Sequence, residues 1–73
     1  PSTTIRYSIP KDAHVSLVVY DVLGREVVTI ESGQKVAGSY VVNLDASRLA
    51  SGVYAYRLQA DGFSMIRKMA VIK

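Results

Sequence analysis

Apolar and polar residues alternate along most of this chain with a period of two, the spacing of half-buried β-strands rather than helices. Residues 4–9 place Ile5, Tyr7 and Ile9 on one face, and Pro10 ends the run. Residues 15–20 follow with Val15, Leu17 and Val19 directed inward. Asp21-Val-Leu-Gly24 then reads as a turn: the aspartate suits its first position, and the glycine accepts the left-handed conformation that closes the hairpin. Residues 25–30 return as a strand rich in valine, threonine and isoleucine. Residues 32–35 read as a polar loop, and Gly38 breaks the chain again. Residues 39–44 alternate with Tyr40, Val42 and Leu44 on one side.

Only residues 45–51 have helical character, a short Ala/Ser/Arg/Leu run that Asp45 is placed to cap for a single turn. Residues 53–60 and 63–72 form a closing hairpin about Asp61-Gly62, a strong short-range hairpin signal. The last strand is apolar on both faces. Phe63, Met65, Met69 and Val71 share one parity with Arg67, whereas Ile66, Ala70 and Ile72 share the other with Lys68. The first parity is expected inward, leaving Ile66 and Ile72 partly exposed. Leu49-x-x-Gly52-x-Tyr54 reads as a tyrosine corner, in which the hydroxyl bonds backbone a few residues upstream. Gly52 is expected there because a Cβ would clash at the bend. The pattern predicts an all-β, Ig-like antiparallel sandwich of about six to seven short strands, forming one packing unit over residues 1–73.

Size and composition narrow the function. A chain of 73 residues without cysteine has no disulfide and no Cys/His zinc cluster to staple it, so stability rests on packing. The net charge of +3 is scattered, with only Arg67 and Lys68 adjacent, which lacks the dense basic footprint of a nucleic-acid binder. No apolar run approaches the ~20 residues that span a bilayer, so direct membrane insertion is not expected. The chain opens on Pro1 instead of methionine and reads as a domain excised from a larger secreted protein.

Catalysis fails on inventory. His14 is the only histidine, read as an exposed turn residue just before a strand, and there is no thiol. The carboxylates Asp12, Asp21, Glu26, Glu31, Asp45 and Asp61 fall mainly in turns and at strand ends, where solvation and capping explain them. Ser39, Ser47 and Ser51 read as turn and cap residues, and the dispersed glycines form no phosphate cradle. No enzyme, cofactor or metal is therefore expected. Tryptophan, the usual platform of carbohydrate-binding sandwiches, is absent; Tyr7, Tyr40, Tyr54 and Tyr56 fall on the core parity, leaving Tyr20 as the surface ring. The remaining feature is the basic set Arg67, Lys68 and Lys73 on a terminal strand. Lysine on an edge protects against aggregation. The same strand also suits capture by a partner through strand addition, with its basic residues read as an address.

Several motifs in order carry a resemblance: Pro-Ser-Thr-Thr-Ile-Arg-Tyr-Ser-Ile-Pro at 1–10, Val-Tyr-Asp-Val-Leu-Gly-Arg-Glu-Val at 19–27, Ala-Gly-Ser-Tyr at 37–40, Leu-Ala-Ser-Gly-Val-Tyr-Ala-Tyr-Arg-Leu at 49–58 and Arg-Lys-Met-Ala-Val-Ile-Lys at 67–73. Together they resemble the C-terminal sorting domain of type IX (Por) secretion cargo, type A. The resemblance implies a non-catalytic signal domain at the end of a larger protein from a Gram-negative, Bacteroidetes-type bacterium. It implies an N-terminal cargo, an outer-membrane type IX translocon and a surface sortase-like peptidase as partners, and secretion through the periplasm to the cell surface. Carried onto this chain, the candidate recognition residues are Gly38, Tyr40, Arg67, Lys68 and Lys73, with Leu49, Gly52 and Tyr54 as the structural corner. Val36 stands where many members have proline. The competing readings are an Ig-like spacer or adhesion module and a carbohydrate-binding accessory sandwich of a secreted enzyme.

Overall fold

The computed structural model describes residues 2–72. Six strands follow one another: β1 (Ser2–Ile9), β2 (Ala13–Tyr20), β3 (Glu26–Lys35), β4 (Gly38–Asp45), β5 (Gly52–Ala60) and β6 (Phe63–Val71), with one 3-10 turn at Ala46–Arg48. β1 pairs antiparallel with β4, while the other four form an antiparallel sheet in the order β3-β2-β5-β6. The two sheets face each other across a shared core, giving the all-β sandwich that the alternation predicts.

Period-two patterning puts the expected residues into that core. Ile5, Tyr7 and Ile9 of β1 pack with Ala13, Val15 and Leu17 of β2 and with Leu58 and Ala60 of β5. A second cluster joins Val19, Leu44, Ala46, Tyr54 and Val71 near the 3-10 turn. Register aligns these residues in rows across the larger sheet: Val15–Ala60–Phe63, Leu17–Leu58–Met65 and Val19–Tyr56–Arg67. In each row burial falls from β2 towards β6. Phe63 is already 44% exposed, Met65 and Tyr56 are half-buried, and Arg67 is exposed. On β6 the expected parity faces inward; Ile66 on the other face and Ile72, one residue past the end of the strand, lie in solvent at 66% and 85% exposure.

The structure departs from the alternation in three places. Residues 32–35 are not a loop but the second half of β3, paired from Ser32–Ser16 through Lys35–Ala13. The polar run is compatible with an edge strand, whose side chains reach water while its backbone satisfies that of β2. Two register shifts, between Leu17 and Val18 and between Val19 and Tyr20, insert extra β3 residues, so β3 does not alternate cleanly. Val18 points away from the core yet is 6% exposed. It lies mid-sheet between Thr29 and Arg57, and the Arg57 guanidinium reaches over the Tyr20 ring at 5.5 Å, closing that face around it. His14 is exposed as expected but belongs to β2, paired with Gln34, rather than to the preceding turn.

Leu17 is fully buried in the middle one of the three rows. A chain of this length has roughly 4–11 kcal/mol of total stability at typical per-residue values. Leu17→Ala is expected to cost about 2–5 kcal/mol, read as a lower urea midpoint at unchanged m-value, leaving the domain close to unfolding. A cost under about 0.5 kcal/mol would place Leu17 outside the structural centre.

Candidate functional site: the closing hairpin and two tyrosine corners

The β5–β6 hairpin turns on Asp61-Gly62, whose φ angles are +20° and +64°. Both central residues thus take the positive φ that a two-residue turn needs to match strand twist, which explains aspartate followed by glycine. The hairpin's start is fixed by Tyr54, which is buried and donates its hydroxyl hydrogen bond to the Ala50 carbonyl at 2.7 Å. Leu49 packs half-buried against the same cluster. Because Tyr54 pairs with Met69, the corner sets the register of β6 at its basic segment. Gly52 is present for its backbone, not for space. The nearest atom to an added Cβ is Tyr54 Cε1 at 4.0 Å, an ordinary contact, so the expected clash is absent. Its φ of +159° is instead one that L side chains rarely adopt.

A second corner of the same design opens β4. Tyr40 donates to the Val36 carbonyl at 2.5 Å, again four residues upstream, and Gly38 occupies the matching position at φ +150°. Gly-x-Tyr occurs at 38–40 and at 52–54, so the sequence carries the signal for both corners, although the expectation above covers only the later one. Tyr40 also stacks on Tyr7, with ring centres 5.2 Å apart, and Lys35 Nζ lies 5.6 Å from the Tyr40 ring centre. Lys35 pairs with Glu31 at 2.9 Å, which raises its pKa. The Tyr7 hydroxyl is buried without a hydrogen-bond partner among the described residues, and burial followed by the Glu31 charge pushes its pKa up.

The expected recognition residues do not converge. Tyr40 and Gly38 belong to the two-stranded sheet, on the flank where β4 meets Lys35 of β3. Arg67 and Lys68 sit on β6 at the opposite end of the four-stranded order. Arg67 faces the sandwich side, opposite Tyr56, and Lys68 faces outward, opposite Ala55; both are exposed. Lys73 lies outside the described residues. Of the tyrosines, Tyr7 and Tyr54 are buried and Tyr40 and Tyr56 half-buried; Tyr20, expected as a surface ring, is half-buried beneath Arg57. Among the described residues no three His, Asp or Glu side chains group to hold a metal.

Asp21 and Gly24 close the β2–β3 hairpin. The Gly24 amide donates to the Asp21 carbonyl at 3.0 Å. Asp21 Oδ1 accepts from the amides of Leu23 and Arg25 at 2.9 and 3.0 Å, and Oδ2 accepts from Arg25 Nε at 2.9 Å. The Arg25 amide bond first, with the other donors, holds the Asp21 carboxyl below the usual range. Asp45 caps the 3-10 turn by accepting from the Ser47 amide at 3.0 Å, and its pKa is lowered for the same reason.

Tyr54→Phe removes a part-buried hydroxyl bond and is expected to cost about 0.5–1.5 kcal/mol in urea unfolding, with Tyr40→Phe costing less because its bond is exposed. Equal or absent losses would dismiss the ranking. The lowered folded-state pKa values of Asp21 and Asp45 stabilise the domain above the unfolded carboxylate pKa, and that contribution is lost as pH falls through the folded values. Thermal midpoints should therefore drop below about pH 4. The drop should be shallower in Asp21→Asn; an identical profile would remove Asp21 from the account.

Residues 2–73 match the family model described as secretion system C-terminal sorting domain. Comparisons with curated proteins and with solved structures found no significant match. The match runs through both hairpins, both corners and the basic strand, and so takes in every element described above. The chain belongs to the family of type IX secretion C-terminal sorting domains.

Proposed function

We propose that this domain is a non-catalytic address that directs a folded N-terminal cargo through the type IX outer-membrane translocon to the cell surface. The family match over residues 2–73 is the observation that carries this reading. The structure supplies a physical basis for it. The domain spends its polar chemistry on turns and corners, and displays its only adjacent cations on an edge strand held in register by Tyr54. An edge strand with unpaired backbone and exposed basic side chains is a surface that a partner reads by strand addition and charge. In this reading Arg67, Lys68 and Lys73 are contacted by the translocon. Gly38, Tyr40, Leu49, Gly52 and Tyr54 act through the shape they impose. A sortase-like peptidase then acts on the cargo side of the domain and leaves the cargo attached to the surface.

The test is a reporter carrying an export signal and this domain, expressed in a type IX-competent host. Intact surface display is expected. Removal of residues 67–73 is expected to hold most of the reporter in the periplasm, as is the pair Arg67→Glu with Lys68→Glu. Unchanged display of both variants would overturn the recognition role of the basic strand, and retention of the reporter on insoluble polysaccharide would favour a carbohydrate-binding module instead.

A further inference from the structure

The four-stranded sheet is wider than the pair of strands that covers it. β4 lies on the β3 flank, where Tyr40 meets Lys35 and Val28 packs against the cluster that holds Leu44. β1 lies over β2 and β5, through Ile5, Tyr7 and Ile9 against Val15, Leu17 and Leu58. Among the described residues β1 pairs only with β4, so its other edge has no ladder partner there, and with Tyr40 of β4 beside Lys35 of β3 that edge lies on the side away from β3. Beside it, the inward face of β6 carries Phe63, Met65, Arg67, Met69 and Val71, of which Phe63 and Arg67 are exposed, the methionines half-buried against the core and Val71 buried. Arg67 has no ion pair among the described residues.

We propose that the free edge of β1 and the open inward face of β6 form a slot for one extended peptide strand from a partner protein, with an acidic side chain between two apolar ones at alternate positions. A strand added to β1 sits about 4.8 Å from it, and the facing sheet lies about 10 Å below, which puts alternate side chains of the newcomer over β6. Met65, Arg67 and Met69 repeat every second residue, so the pattern they match is apolar, acidic, apolar. A second copy of this chain is a poor occupant. Of its six acidic residues, only Asp21 has apolar residues two positions away on both sides, Val19 and Leu23, and it is locked in a turn. This inference does not depend on the sorting role, and its readout is on the purified chain rather than on surface display.

The probe is a fluorescein-labelled heptapeptide with valine, glutamate and valine at its second, fourth and sixth positions and threonine elsewhere. Saturable anisotropy is expected with the 73-residue chain, together with amide shifts confined to β1 and β6. Arg67→Glu is expected to weaken binding by about tenfold or more, as is lysine for glutamate in the peptide, and combining the two changes is expected to restore it. Circular dichroism checks the fold of the variant, and the peptide swap on the unaltered chain keeps the test independent of it. The proposal is overturned by absence of saturable binding up to millimolar peptide, by equal affinity for the two peptides, or by shifts centred on β3 or the outer sheet face. Concentration-dependent self-association that shifts β1 without peptide would likewise overturn it in favour of a second copy.

Discussion

The whole domain depends on two strands covering four. Sandwich stability comes from apolar area removed from water, and a chain of 73 residues has little to spare. The pair β1–β4 leaves part of the larger sheet uncovered, and the buried residues of that sheet concentrate on β2 and β5, with Val71 alone among the described residues of β6. The two flanks are finished differently. On the β3 side, Glu31 and Lys35 bridge at 2.9 Å and Lys35 lies against Tyr40, closing the margin with charge and aromatic surface. On the β6 side the apolar row runs out into Phe63, Met65 and Arg67, and no equivalent closure is present among the described residues.

Connections within a sheet and between sheets use different chemistry. The hairpins β2–β3 and β5–β6 stay within the larger sheet and turn on an aspartate with a glycine, at Asp21–Gly24 and Asp61–Gly62. The chain changes sheet three times, and at each change a side chain ties backbone. Tyr40 bonds the Val36 carbonyl as β3 gives way to β4, and Tyr54 bonds the Ala50 carbonyl as the chain returns to β5. Between β1 and β2, Asp12 accepts from the Ala37 amide at 2.8 Å, fastening two crossovers together at one end of the sandwich. Bends between layers leave backbone groups without ladder partners, so these bonds supply what the sheets cannot.

That division explains what was legible in the sequence. Hairpin turns and single-strand alternation are local, and the inward residues of β1, β2, β4 and β6 follow directly from them. The Tyr54 corner was legible because its glycine and tyrosine are close together in sequence. The second half of β3 was hidden because Ser32 to Lys35 carry no apolar signal, and pairing with β2 decides their conformation. Val18 was hidden for a related reason, since its cover comes from Thr29 and Arg57 on neighbouring strands. Tyr40, Arg67 and Lys68 lie on the strands the alternation predicts, whereas Gly38, read as a break, is the first residue of β4. Their separation onto opposite flanks was not visible, because it follows from the strand order β3-β2-β5-β6 and from which strand β4 covers.

Strand geometry also constrains how the basic segment is read. Arg67 and Lys68 are adjacent in sequence, yet successive side chains on a strand point to opposite faces, and here one faces Tyr56's side of the sheet and the other Ala55's. A flat partner surface laid on either face of the sandwich meets one cation and misses the other. A partner that engages both must approach along the open edge of β6, where both side chains and the unpaired backbone are within reach. Tyr54 opposite Met69 then has a consequence beyond its own burial: by fixing register two residues from Arg67, it decides which cation faces the sandwich and which faces out. A shift by one residue would exchange them and turn the apolar parity of β6 away from the core. Packing and the placement of the two cations are thus bound to the same alignment, and the hydroxyl bond to Ala50 helps to hold it.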